Sequence, residues 1–156
     1  MSILSWNCRG AGKAATVRET RELVRKFAPT LLCIVETQID RVRVENLASS
    51  FGFDNAFAVS SQGRSGGLGI FWNNPIKVEI LGYSKYHIDV KISDLGGDPW
   101  RFSCFYGEAQ THLRQNMWDT MKNLSTLSNL PWLCMGDFNE VLRHDEHDGV
   151  GTRSQA

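Results

Sequence analysis

What the sequence lacks narrows it first. It has no excess of either charge: 17 Lys+Arg balance 17 Asp+Glu, for a formal net charge of zero. That removes the electrostatic argument for a non-specific nucleic-acid or anionic-membrane binder, which is usually visibly basic. A small phosphate site needs only a local field and is untouched by this exclusion. No apolar run approaches the roughly 18 to 20 residues of a membrane-spanning helix. The first residues, MSILSWNCRG, lack the basic start and long apolar stretch of a secretory signal. Nor is there a Cys-x-x-Cys pair or a zinc-like spacing among Cys8, Cys33, Cys104 and Cys134. Each of these sits in an apolar run (LSWNC, LLCIV, FSCFY, WLCMG), where a free thiol behaves as a small buried hydrophobe. The expectation is four unpaired cysteines in a soluble chain of the reducing cytoplasm or nucleus, without a membrane partner. Repeats, linkers and low-complexity segments are missing too. At 42% hydrophobic and 22% charged the composition is globular, and 156 residues suit one domain with a real core rather than two.

The apolar pattern then predicts the elements. Ile3 to Asn7 reads as a short strand, stopped by Gly10 and Gly12. Lys13 to Phe27 has helical spacing through Val17, Leu23, Val24 and Phe27, ended by Pro29. Leu31 to Val35 is a continuous apolar run and reads as a fully buried strand. Asp40 opens a second helix carrying Val44, Leu47, Ala48 and Phe51, closed by Gly52. The texture then turns to β: strands are expected at Ala56–Ser60, Leu68–Trp72, Ile76–Leu81, His87–Ser93 and Trp100–Tyr106, with turns at SQGRSGG (61–67), NNP (73–75) and DLGGDP (94–99). Ile76, Val78 and Ile80 alternate onto one face, as do Ile88, Val90 and Ile92. His112 to Leu127 reads as a helix through Leu113, Met117, Met121 and Leu124, and Pro131 to Met135 as a last strand. The tail from Arg143 to Ala156 is polar and loses periodicity. The order β-α-β-α, meander, helix, strand points to α/β layers.

Three apolar strands each run out into a polar group: the first into Asn7, the second into Glu36, and the last into Gly136-Asp137-Phe138-Asn139. Carboxylates just past buried runs are costly unless paired, hydrogen-bonded or bound to a cation. If the strands are neighbours pointing the same way, Asn7, Glu36, Asp137 and Asn139 converge at one end of a sheet. Hard oxygen donors of this kind suit Mg²⁺ or Mn²⁺. Taken singly each has a plainer reading. Glu36 can be a loop residue, Asp137 and Asn139 can cap a helix or form an Asx turn, and Gly10 and Gly136 can be ordinary turn glycines.

Together the motifs resemble a known family. The Ser-Trp-Asn start, the strand ending in Glu36, the Ser65-Gly66-Gly67 turn, Phe105-Tyr106-Gly107 and Gly136-Asp137-Phe138-Asn139 come in the order seen in the endonuclease/exonuclease/phosphatase family and span nearly the whole chain. The texture WNCRG…ET…SGGLGIFW…FYG…LPWLCMGDFNE is most similar to the endonuclease domain of plant long-interspersed-element (non-LTR) retrotransposons. The resemblance implies an α/β fold of four layers, α/β/β/α, built on two face-to-face sheets, and metal-dependent phosphodiester hydrolysis. It implies Glu36 as the main carboxylate for Mg²⁺ or Mn²⁺, with Asn7 beside it holding metal or phosphate. Asp137 would orient or activate the attacking water and share the metal site, Asn139 would contact the scissile phosphate, and Tyr106 would hydrogen-bond a phosphate oxygen.

The chain also departs from the pattern. Arg9 stands where some branches carry an acid, and Glu108-Ala109 replace a different polar residue and a proline. The family's later Asp and its C-terminal Asp-His pair are not found. His87 falls in a strand, His112 at a helix start, and His144 and His147 in a polar loop. The expectation is therefore a domain of 1–156 that is the N-terminal part of a longer one, inactive and marginally stable alone, with DNA as the partner of the whole and a reverse transcriptase module in the same polyprotein. The alternative is a degenerate, non-catalytic nucleic-acid-binding or interaction module; a phospholipid or inositol-phosphate substrate is a third. Arg18, Arg21 and Arg25, near Glu19 and Glu22, read as a salt-bridged solvated face, with a DNA backbone contact as the sharper alternative. Arg64 sits on a turn that could approach a substrate strand, and the five tryptophans read as core.

Overall fold

The computed structural model describes residues 1–94 and 96–141. The predicted tail, with His144 and His147, lies outside them. The element order is β1 (Ile3–Asn7), α1 (Ala14–Phe27), β2 (Leu31–Val35), α2 (Arg41–Glu45), α3 (Ala48–Phe51), β3 (Asn55–Val59), β4 (Leu68–Trp72), β5 (Lys77–Tyr83), β6 (His87–Ser93), β7 (Trp100–Tyr106), a 3₁₀ turn at Thr111–Leu113 leading into α4 (Arg114–Ser125), and β8 (Trp132–Asp137). The strands form two mixed four-stranded sheets, β1-β2-β4-β3 and β5-β6-β7-β8.

The hydrophobic pattern dictates three layers of packing. Strand β2 is buried along its whole length, as its unbroken apolar run requires. Leu31, Cys33 and Val35 face the second sheet and meet Ile88, Val90, Ile92, Phe102 and Cys104 there. Leu32 and Ile34 face the other way, against Val17, Val24, Val44, Leu47 and Phe51 of the first three helices. The far side of the second sheet packs Tyr86, Phe105, Trp132 and Cys134 under Met117, Met121 and Leu124 of α4. The result is the α/β/β/α sandwich. All five tryptophans are partly buried, and each packs against one of these clusters. Under α4 the sheet also buries a charge pair, with Arg101 donating to both Asp89 oxygens at 2.8–3.1 Å and Ser103 and Trp132 completing the network.

Several expectations need correcting. The helix expected from Asp40 to Phe51 is two short ones. Asp40 does cap the first, accepting the Arg43 N–H at 3.0 Å, but the chain tightens at Asn46–Leu47, where Leu47 N–H bonds Val44 O at 3.0 Å. Strand β8 runs on to Asp137 rather than ending at Met135. Cys33 and Cys104 are a disulfide, Cα atoms 6.4 Å apart, and only Cys8 and Cys134 are free. They occupy inward positions on facing strands 71 residues apart in sequence, a juxtaposition that local context cannot reveal. Arg18, Arg21 and Arg25 are exposed as expected, but among the described residues none forms an ion pair. Among the described residues no helix is long and apolar enough to cross a membrane.

Candidate active site

The site is built by strand parity. In β1, Ile3 faces the space between the sheets, so Asn7, four residues on, does too; in β8 and β7, Met135 and Trp100–Phe102–Cys104 put Asp137 and Tyr106 on that same inner side. Strands β1 and β2 are parallel, with Asn7 opposite Val35, and β7 and β8 are parallel, with Tyr106 opposite Asp137. All four therefore end at one rim, where the two sheets face each other.

There the side chains meet. Asn7 Nδ2 donates to Glu36 Oε2 at 3.0 Å and to Asp137 Oδ2 at 2.8 Å, so one amide bridges two carboxylates 29 and 130 residues away in sequence. Gln38 Nε2 holds the other Glu36 oxygen at 3.0 Å. Asn139 N–H closes an Asx turn on Asp137 Oδ1 at 3.0 Å, and its amide donates to Gly107 O at 2.7 Å. Burial first, and then the Glu36 and Asp137 charges, hold the Tyr106 phenol above its ordinary pKa, against a hydrogen bond with Asn139 that lowers it. Tyr106 thus stays a protonated donor at neutral pH. Sequence reasoning named Asn7, Glu36, Tyr106, Asp137 and Asn139, and the fold gathers all five. It missed Gln38, whose only signal was its place two residues after Glu36.

The backbone is bent to make this rim. Arg9, Glu36, Gln38 and Asn139 all have left-handed φ, from 48° to 59°, a conformation that costs a non-glycine residue about 1–2 kcal/mol. The loop after β2 is fastened on both sides. Gly10 and Ala11 N–H bond Glu36 O and Thr37 O at 2.9 and 2.8 Å, and Thr37 and Gln38 N–H bond Gly67 O and Gly66 O at 3.2 and 3.0 Å. The Ser65-Gly66-Gly67 turn therefore serves as a seat for the Glu36 loop. Gly136, at φ 146°, passes so close to the Phe105 backbone that a Cβ would overlap its carbonyl oxygen.

Among the described residues neither Glu36 nor Asp137 has a cationic side chain within ion-pair distance. No cluster of three His, Cys, Asp or Glu forms among them either. Two unneutralised carboxylates held together by a neutral amide fit a hard divalent ion, which binds through one or two carboxylates and keeps water or substrate oxygens as its other ligands. Asn7 turns its amide nitrogen towards the carboxylates, while its Oδ1 accepts the Arg9 N–H at 3.2 Å. Direct ligation by Asn7 would need that amide to flip. An open cleft lined by Ser5, Asn7, Met135, Asp137 and Asn139 leads to the carboxylates. Of the basic side chains, Lys13 and Arg64 flank a neighbouring opening beside Gln38.

No curated protein matches the sequence. Solved structures do share the fold. The 3′ phosphatase NExo from Neisseria, solved with a product DNA hairpin, superposes with a TM-score of 0.67 at 13% identity, over 92% of this chain and 60% of that one. An AP endonuclease from Archaeoglobus fulgidus gives 0.66 at 16%, over 92% and 59%. The endonuclease domain of TRAS1, a telomere-specific non-LTR retrotransposon, gives 0.62 at 15%, over 88% and 59%. The chain thus spans about 60% of the length of these three structures. The model of the endonuclease/exonuclease/phosphatase family matches residues 4–155, and the chain belongs to that family.

Proposed function

We propose that residues 1–156 are the N-terminal part of a Mg²⁺-dependent DNA endonuclease domain of retrotransposon type, inactive until the rest of the domain is present. The observation that carries this reading is the single Asn7 amide holding Glu36 and Asp137 together at the mouth of the cleft. The retrotransposon assignment rests on the motif texture from WNCRG to GDFNE. A reverse transcriptase module in the same polyprotein would use the 3′-hydroxyl left by the nick.

Glu36, with Asp137, would hold the divalent ion. When bound, such an ion neutralises phosphate charge and lowers the pKa of water. Asp137 accepts a proton from the attacking water and orients it. Asn139 gives its amide to Gly107 O and hydrogen-bonds Tyr106, and from there it would contact the scissile phosphate. Tyr106 would donate a hydrogen bond from its hydroxyl to a phosphate oxygen. Neutral donors stabilise the developing charge without competing for the ion.

Plasmid nicking in Mg²⁺ tests the reading. A chain extended past Ala156 nicks and loses activity with Glu36→Ala, while the 156-residue chain does not nick. Turnover by the short chain overturns the claim of dependence on the missing part. Metal-independent DNA binding without cleavage by the extended chain would favour the non-catalytic reading instead.

A further inference from the structure

One buried guanidinium lies outside the site just described. Arg114 opens α4 and is only 7% exposed, on the face that also buries Met117 and Leu124. It spends each of its nitrogens. Nε donates to Glu108 O at 3.2 Å, Nη2 to Ala109 O at 3.2 Å, and Nη1 to both oxygens of Glu140 at 3.1 and 3.2 Å. The Glu140 side chain is as buried as its partner, at 8% exposure. Three pieces of chain meet at this one group: the exit of β7 that carries Tyr106, the start of α4, and the exit of β8 that carries Asp137 and Asn139.

One residue before each of Arg114's partners Glu108 and Glu140, those two exits are stitched to each other. Gly107 N–H donates to Asp137 O at 2.6 Å, and the Asn139 amide to Gly107 O at 2.7 Å. Gly107 has no room for a Cβ against the Phe138 carbonyl. Phe138 is in turn stacked between Phe105 and Trp118, with ring centroids 5.8 and 6.1 Å away. A charge pair this buried is a poor way to gain stability alone, because desolvation offsets most of the attraction. A planar fork that fixes two carbonyls and a carboxylate at once is well suited to setting geometry.

We infer that Arg114, paired with Glu140, is a positioning residue: it clamps the Glu108–Ala109 loop to the exit of β8 and so fixes Tyr106 and Asn139 against Asp137. The inference rests on the nuclease reading for its purpose and on the contacts alone for its existence.

Amide exchange on the 156-residue chain, followed by NMR, separates the two. In Arg114→Ala the Gly107 amide and the Asn139 side-chain amide exchange at least about tenfold faster. The Phe102 and Val90 amides of the central strands, and the Gly10 amide that bonds Glu36 O, keep their wild-type rates. Should the alanine variant fail to fold, Arg114→Lys carries the same test, because it keeps a charge against Glu140 and loses the fork. Faster exchange spread evenly over the strands would make Arg114 a merely structural residue and overturn the proposal; so would unchanged exchange at Gly107 and Asn139. Mn²⁺ added to the wild-type chain reports on the function separately. Paramagnetic broadening confined to the neighbours of Glu36 and Asp137 supports the metal reading. Its absence overturns that reading and leaves the exchange result standing on its own.

Discussion

Replacing Asn7 by alanine gives the sharpest test of the rim. The substitution removes two hydrogen bonds from one amide to two carboxylates, at 3.0 and 2.8 Å, both partly buried. A hydrogen bond to a charged group contributes about 1.5–3 kcal/mol. Partial exposure puts these at the lower end, so the expected loss is about 3 kcal/mol. For a chain of this size that is a fall of about 6–12 °C in melting temperature. Glu36 and Asp137 are then left facing each other without the donor that joined them, and an added divalent ion can take the amide's place. The assay is urea unfolding of wild type and Asn7→Ala, with and without Mg²⁺ in excess. The deficit should be about 3 kcal/mol without the ion, and Mg²⁺ at ten times the dissociation constant should itself stabilise a form that binds it by about 1.4 kcal/mol, the wild type included. A deficit below about 0.5 kcal/mol, or a wild type that Mg²⁺ does not stabilise, would refute the claim that the two carboxylates converge on Asn7 as a cation site.

Other outcomes follow from the same geometry. Gly136→Ala puts a methyl group into the Phe105 backbone at a φ of 146°. It should cost about 3 kcal/mol or more in urea unfolding, and a loss under 1 kcal/mol would show that β7 and β8 do not approach so closely. His87 is pushed below its ordinary pKa, by burial first, with Asp89 opposing. Above about pH 6.5 it is neutral in both states. As the pH falls through that value the unfolded chain takes up a proton that the folded one refuses, so stability declines until the folded pKa is reached. Urea midpoints at about pH 7.5 and 5.5 should differ less in His87→Gln than in wild type. Denaturing the protein without reductant should expose two reactive thiols, those of Cys8 and Cys134; four would refute the Cys33–Cys104 bond. Closing a loop of 71 residues is worth about 4 kcal/mol in the chain-entropy account, so reduction should lower stability by up to that amount.

The strands were legible because each carries its period. Alternation at Ile88, Val90 and Ile92 and the unbroken run of Leu31–Val35 are dictated by which faces must leave water, and the observed strands follow them. The site residues were legible for a related reason: a polar group at the end of an apolar strand is costly unless something is done with it. What stayed hidden depends on contacts far apart in the chain. Nothing near Cys33 announces Cys104. Arg114 sits among residues whose pattern suggested only an amphipathic helix, and it takes a buried place because the carbonyls of Glu108 and Ala109 and the carboxylate of Glu140 are there to receive it. The break of the second helix at Asn46 and Leu47 was equally invisible, since Val44, Leu47, Ala48 and Phe51 satisfy helical spacing whether or not the helix is continuous.

The sequence by itself determined the chemistry available: zero net charge, oxygen-bearing side chains at three strand ends, and a glycine before Asp137. These are local properties, set by what a short segment costs in water. Tertiary structure alone decided that one Asn7 amide joins Glu36, 29 residues on, to Asp137, 130 residues on, that among the described residues these two carboxylates have no cationic partner, and that a buried guanidinium locks the exits of β7 and β8 together. The balanced charge of the whole chain says nothing of that local imbalance. Electrostatics acts through distance in space, and parallel pairing of β1 with β2 and of β7 with β8 is what brings like charges to one rim.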